Sequence, residues 1–181
     1  MASWVIDNSH SHVQFSVRHM MISKARGRFA NFSGTVNFDE QTPANSTVNV
    51  QIEAASIETK DEKRDGHLKS PDFLDAANHP YLTFVSKRVE VKDETHGTIY
   101  GDLTIRGVSK EVALEVEYNG QAKAPWGTTS AGFNASTKIN RKDWGLNWNV
   151  GLETGGVLVG EEVSIEIEIE IVKQVEEPVS A

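Results

Sequence analysis

Residues 163 to 171 read Val-Ser-Ile-Glu-Ile-Glu-Ile-Glu-Ile, and this two-residue alternation constrains the chain more than any other stretch. Successive side chains of a β-strand point to opposite faces, so Val163, Ile165, Ile167, Ile169 and Ile171 share one face while Ser164, Glu166, Glu168 and Glu170 share the other. Such a strand must bury one face. Left as a free edge, it would also recruit other chains. Closing it against the first strand of the sheet removes that edge, and the row of glutamates guards the outside.

The same period recurs along the chain. After a short N-terminal lead, Ser11, Val13, Phe15, Val17 and His19 alternate with His12, Gln14, Ser16 and Arg18. Residues 28 to 38 place Ala30, Phe32, Gly34, Val36 and Phe38 on one face, with Phe29 breaking the split. Val48, Val50, Ile52 and Ala54 follow, and Ile57 is out of phase unless a bulge lies near Ala54-Ala55. Leu82 and Phe84 lead to Val89 and Val91. Ile99, Gly101, Leu103 and Ile105 form the next face, Arg106-Gly107-Val108 turns the chain, and Val112, Leu114, Val116 and Tyr118 run back. A loop over 119 to 127 precedes Ala131, Phe133, Ala135, Thr137 and Ile139. Short connections demand antiparallel pairing. About eight such strands without a βαβ rhythm predict an all-β fold, an eight-stranded antiparallel barrel closed between the last strand and the first. Gly34 and Gly101 are read as kinks that let strands curve. One domain spans residues 1–181, and the tail from about residue 173, with Glu177-Pro178, has nothing to bury and is expected to be disordered.

Alternation stops between Ser56 and Ser86. Thr59 and Glu62 form a capping box for a short helix over about 60 to 69, and Ser70-Pro71 restarts a helical signal that His79-Pro80 ends. The helical insert therefore falls between the third and fourth strands.

Composition narrows the function. With 26 acidic against 18 basic side chains the net charge is −8, which disfavours nucleic acid and anionic membrane surfaces. The lack of cysteine excludes a disulfide framework and a thiolate metal site. Met1 to Asp7 shows neither a basic n-region nor an apolar run, and no window is long and apolar enough to span a membrane, so a cytoplasmic chain without stable membrane insertion is expected.

Two polar groupings invite chemistry. His10, His12 and His19 suggest metal ligation, but strand parity turns His19 inward and the other two outward, so no metal site is expected. Arg64, Asp65 and His67 could serve a general base, yet residues two apart on a helix do not face each other, and no phosphate-binding glycine loop or nucleophile motif accompanies them. Docking of the insert by Leu68 and Phe73 is the simpler role. Trp144 and Trp148 read as packing at a barrel end.

Trp4-x-x-Asp7-x-x-His10-Ser11-x-x-x-Phe15-x-Val17-x-His19, Gly27-x-Phe29-x-x-Phe32-x-Gly34, the Ser56-x-x-Thr59 to Phe84-x-Ser86 stretch, Gly101-x-Leu103-Thr104-Ile105-x-Gly107-Val108 and Arg141-x-Asp143-x-Gly145-Leu146 together resemble the YceI-like family of polyisoprenoid-binding proteins. The resemblance runs from about residue 4 to 172. Leu74 and Trp144 stand where phenylalanine is common in that family, and both keep apolar character. The resemblance implies a lipocalin-like barrel that holds a long isoprenoid, an isoprenoid quinone or a fatty-acid-like chain, with no catalytic residues and no cofactor besides that lipid. A bore of this kind gains roughly 0.8 kcal/mol per buried CH₂ without specific polar contacts. The inward residues expected to line it are Phe15, Val17, Phe32, Val36, Ile52, Phe73, Phe84, Ile99, Leu103, Leu114, Val116, Phe133, Ile165 and Ile167, with His19, Arg64 and His67 towards the head group. Two alternatives stand beside the carrier: a small enzyme acting on a hydrophobic substrate through the His19, Arg64 and His67 region, and a packed interaction barrel. A homodimer is left open.

Overall fold

The structure is a computed structural model and describes residues 2–174. Its strands are β1 (Ala2–Ile6), β2 (His12–His19), β3 (Ser23–Phe29), β4 (Phe32–Phe38), β5 (Thr47–Glu53), β6 (Ile57–Glu58), β7 (Tyr81–Val91), β8 (His96–Ile105), β9 (Val108–Lys123), β10 (Thr129–Asn140) and β11 (Val159–Lys173). They form a closed eight-stranded antiparallel barrel, because β1 and β2, β3 and β4, and β5 and β6 are each one barrel strand broken in two. Each strand pairs with its neighbour in the chain. The circle closes where β11 pairs with both β1, setting Ile6 opposite Ile171, and β2, setting Val13 opposite Ile167.

The three breaks adjoin one another, and side-chain and backbone hydrogen bonds together mend the ladder across them. Asn8 Nδ2 donates to the Phe32 carbonyl at 2.6 Å, the Ala30 amide to the Ser56 carbonyl at 3.0 Å, and the Glu53 amide to the Asn31 carbonyl at 3.0 Å. The Ser11 hydroxyl accepts the Glu170 amide at 3.0 Å where β11 crosses the gap between β1 and β2. No buried backbone group need go without a partner at these bends. The break after Phe29 also explains its parity: two residues out of strand put Phe29 and Phe32 on the same, inner side. A 3-10 turn at Ala54–Ser56 returns Ile57 to the core, as the out-of-phase isoleucine required.

Several local expectations are corrected. The N-terminal lead is itself a strand, β1, and the helix α1 (Glu62–Lys69) is capped by Asp61, whose carboxylate accepts the Lys63 and Arg64 amides at 3.0 and 3.1 Å. Thr59 is spent elsewhere. The second helical piece after Ser70 is a series of turns, because the Phe73, Leu74, Asp75 and Ala76 amides bond back to Ser70, Leu68, Ser70 and Lys69 with no repeating register. The expected loop over 119 to 127 shrinks, since β9 continues to Lys123 through a bulge at Asn119 opposite Gly132 and Phe133. Gly34 and Gly101 serve close approach as much as curvature: a Cβ at 101 would stand 2.5 Å from the Phe84 ring and 2.7 Å from the Val85 carbonyl, and one at 34 would stand 2.6 Å from the Asn49 carbonyl. The tail expected to be disordered lies outside the described residues.

Packing gathers at the two ends. At the α1 end, Ile57, Phe73, Leu74, Leu82, Phe84, Leu103, Ile105, Ile139, Trp144 and Leu146 form one buried cluster. At the opposite end, Trp4, Val36, Phe38, Ala131 and Ile171 form the other.

Candidate functional site

Between the clusters the inward residues stop being buried. Val17, Val50, Ile52, Ile99, Leu114, Val116, Phe133, Ile165 and Ile167 all point inward by register, yet each keeps partial exposure. They keep it because they face a cavity of about 990 Å³. This volume lies at the upper end of what small-molecule pockets enclose, and its middle is walled by aliphatic and aromatic side chains, with Thr137, the register partner of Ile165, as the polar exception. Of the residues expected to line a bore, Phe15, Val17, His19, Val36, Ile52, Arg64, His67, Phe73, Phe84, Ile99, Leu103, Leu114, Val116, Phe133, Ile165 and Ile167 all contribute to this wall. Phe32 does not: although it is the register partner of Ile52, it is buried away from the cavity.

Charged residues enter the wall only near the ends. Glu40, Asp93, Glu94, Thr95, His96 and Gln121 come from the connections and strand ends opposite α1, whereas Arg18, His19, Asp61, Lys63, Arg64, His67 and Arg141 come from the α1 end. The two mouths thus differ in charge, one mainly acidic and the other mainly basic.

The insert is tied to its mouth by a network around Thr59. The Asp65 carboxylate accepts both the Thr59 amide, at 2.8 Å, and the Thr59 hydroxyl, while Arg64 donates through Nε to that hydroxyl at 2.8 Å and through Nη2 to the Thr59 carbonyl. His67 contacts Asp72 through Nε2 at 2.9 Å and packs edge-on against Phe73 and Trp148, with ring centroids 5.1 and 4.5 Å away. Arg106 donates to the Phe73 carbonyl at 3.2 Å, clamping the turns below the helix. These partners hold α1 on the barrel; Asp65 and His67 do not meet. Trp144 donates to the Leu103 carbonyl at 2.9 Å, as barrel-end packing requires.

Arg141 escaped the sequence reading as a site residue. It is buried at the α1 end, and its guanidinium donates to the carbonyls of Leu146, Trp148, Val159 and Gly160 at 2.6 to 3.2 Å. Burial lowers its pKa from the ordinary arginine value. A charge bonded to carbonyls only, in one wall of the cavity, staples the glycine-rich segment before β11 across the barrel end. The signal was its place just after a strand, which no alternation pattern reports.

Outside the barrel, the 3-10 turn between β1 and β2 brings together Asp7, His10 and Glu170, with ligating atoms within 4.8 Å of one another. His10 Nδ1 lies 2.9 Å from Asp7 and 3.3 Å from Glu170. The Ser9 hydroxyl and His10 hold the Asp7 carboxyl down at about 2, and the Asp7 contact raises the His10 pKa. His12 and His19 take no part: His19 faces the cavity and His12 the exterior, as parity required.

Comparison with known proteins bears on the same architecture. The chain is 40% identical to Protein YceI of Escherichia coli O157:H7 over 168 residues, covering 93% of this chain and 84% of that protein. The crystal structure of Burkholderia cenocepacia BcnA shares its fold with a TM-score of 0.78 at 25% identity, over 91% of this chain and 98% of BcnA. A polyisoprenoid binding domain from Saccharophagus degradans, at 14% identity, shares the fold alone, with a TM-score of 0.69 over 96% of this chain and all of that domain. Residues 4–171 match the YceI-like domain, and the chain belongs to that family.

Proposed function

We propose that this protein binds and carries a long-chain amphiphilic lipid, with the chain in the apolar middle of the barrel and the head group at the α1 mouth. One observation carries the reading: a cavity of about 990 Å³ whose middle is lined almost wholly by apolar side chains and by no charged one. Each CH₂ taken into it gains roughly 0.8 kcal/mol, so affinity grows with chain length and needs no directional contact. His19 and Lys63 at the mouth supply donors, and the Arg64 charge lies beside them, which favours an acidic or hydrogen-bond-accepting head group over a cationic one. The similarity to a polyisoprenoid binding domain supports the same class of ligand. The role is binding without turnover, because Arg64, Asp65 and His67 are engaged in docking the helix. Organic extraction of the purified protein followed by mass spectrometry tests it: a stoichiometric long-chain species is expected, and a protein that neither carries nor takes up such a chain refutes it.

A further inference from the structure

The β2–β3 hairpin ends beside the α1 mouth in a turn built against the usual rule. Residues Met20 and Met21 both adopt left-handed backbone, with φ of 52° and 64°, and the Ile22 amide closes the turn on the His19 carbonyl at 3.2 Å. Two consecutive positive φ values belong to hairpin turns that favour Asn-Gly, because side chains beyond Cβ crowd the backbone there. Here the strained positions carry methionines that do not go into the core. Met20, Met21 and Ile22 are 42%, 58% and 79% exposed. Val150, also exposed, adjoins them through the chain of bonds from Met20 to Leu158 to Val150.

Basic side chains flank this tip. Arg18, at the rim of the α1 mouth, and Lys24 are direct register partners on the hairpin, and Arg26 follows two pairs further along, opposite Ser16. Like charges placed opposite each other destabilise a sheet, and among the described residues none of the three has a salt-bridge partner. The acidic groups of the adjoining β11 segment, Glu161 and Glu162, are drawn to Lys142 at 2.7 Å and Lys138 at 3.8 Å. An apolar tip ringed by cations complements one kind of surface, an anionic bilayer, where apolar side chains enter the interface and Lys or Arg meet the head groups.

The geometry points to the Met20–Ile22 tip and the Arg18, Lys24 and Arg26 ring as a membrane-docking surface that sets the α1 mouth of the bore against anionic lipid. This rests on the carrier reading and extends it to where cargo is exchanged. The net charge of −8 argues against such a partner only at long range; screening beyond about 10 Å leaves the local ring in control.

Vesicle flotation tests the surface, using phosphatidylcholine alone and phosphatidylcholine with phosphatidylglycerol. Wild type is expected to float with the anionic vesicles at low salt, less at high salt, and little with the neutral ones. Arg18→Gln, Lys24→Gln and Arg26→Gln together should lower partitioning on the order of 100-fold, each charge contributing about fivefold. Met20→Asn with Met21→Gly suits the turn, so its melting temperature should hold or rise while partitioning falls at least about tenfold. Equal flotation of wild type with both vesicle types, no flotation at all, or an Asn-Gly variant that partitions like wild type overturns the proposal. Lipid extracted from a protein that does not float rejects docking alone; flotation of a protein that carries no lipid rejects the carrier reading alone.

Discussion

Replacing Val116 by tryptophan separates a ligand cavity from a packed core. Val116 lies mid-barrel in the cavity wall, and its register partners on either side are Gly97 and Ala135, two of the smallest side chains in the sheet. An indole there has open volume ahead of it and little beside it. In a close-packed interior the added volume would cost about 1 to 3 kcal/mol. For a chain of this length each kcal/mol lowers Tm by about 2 to 4 °C, so a packed interior would lose about 2 to 12 °C. In the cavity the change should stay below about 2 °C, and the new side chain should displace ligand. The assay is thermal unfolding of delipidated wild type and variant, paired with lipid content before delipidation. Delipidation comes first because bound ligand raises apparent stability by mass action. A delipidated variant that melts far below wild type refutes the cavity argument. A variant of unchanged stability that retains its full lipid load shows that position 116 does not compete with the ligand.

Gly101→Ala should cost about 1 to 3 kcal/mol in urea denaturation, since its Cβ would meet the Val85 carbonyl as well as the Phe84 ring, whereas Gly132→Ala, with only an ordinary contact at 3.7 Å, should be nearly neutral; equal effects would show that the close approach is not limiting. Thr59→Ala removes the partner shared by Asp65 and Arg64 and should cost about 1 to 3 kcal/mol, with faster amide exchange over residues 62–69; unchanged exchange would show that α1 is held by apolar packing alone. Asp7 has a folded pKa of about 2 against an ordinary 3.8, so its stabilisation is complete above pH 4 and is lost as pH falls through about 2. His10 works the other way: its raised pKa gives stabilisation that is full below 6.5 and lost as pH rises through the folded value. Asp7→Asn should flatten both limbs in denaturation curves taken across pH, and a profile that keeps wild-type slopes would show the pair to be uncoupled from folding.

Much of the wall was legible in the sequence because a barrel wall is written in period two. Val116, Phe133, Ile165 and Ile167 declare their side by parity, and parity survives into the structure wherever a strand is continuous. It fails where hydrogen bonds between distant residues decide the path. The break at Ala30-Asn31 depends on Ser56 and Glu53, and Phe32, just beyond it, is the inward residue that misses the cavity. The cap went to Asp61 because the Thr59 hydroxyl had a better claimant in Asp65, a competition that spacing cannot arbitrate. The Met20-Met21 turn was invisible for the opposite reason: its residues contradict the preference by which such turns are found. Arg141 depends on carbonyls up to 19 residues away in a segment without periodicity.

The closure of β11 on β1 and β2 also governs how the molecule reaches its native state. Every other barrel strand pairs with the next one along the chain, across at most the helical insert between β5 and β7, but the pairing of residues 4–19 with 159–173 joins the two ends of the barrel domain. Loop-closure entropy therefore concentrates in one late encounter, while the intervening hairpins form from local contacts. During synthesis the first strand must wait for residues 159–173 to emerge, and until they join it the nascent barrel is a curved, open trough. The apolar lining is then accessible along its full length from the side. A long lipid could be laid into that trough before closure without threading either mouth, so first loading and later exchange need not follow the same route.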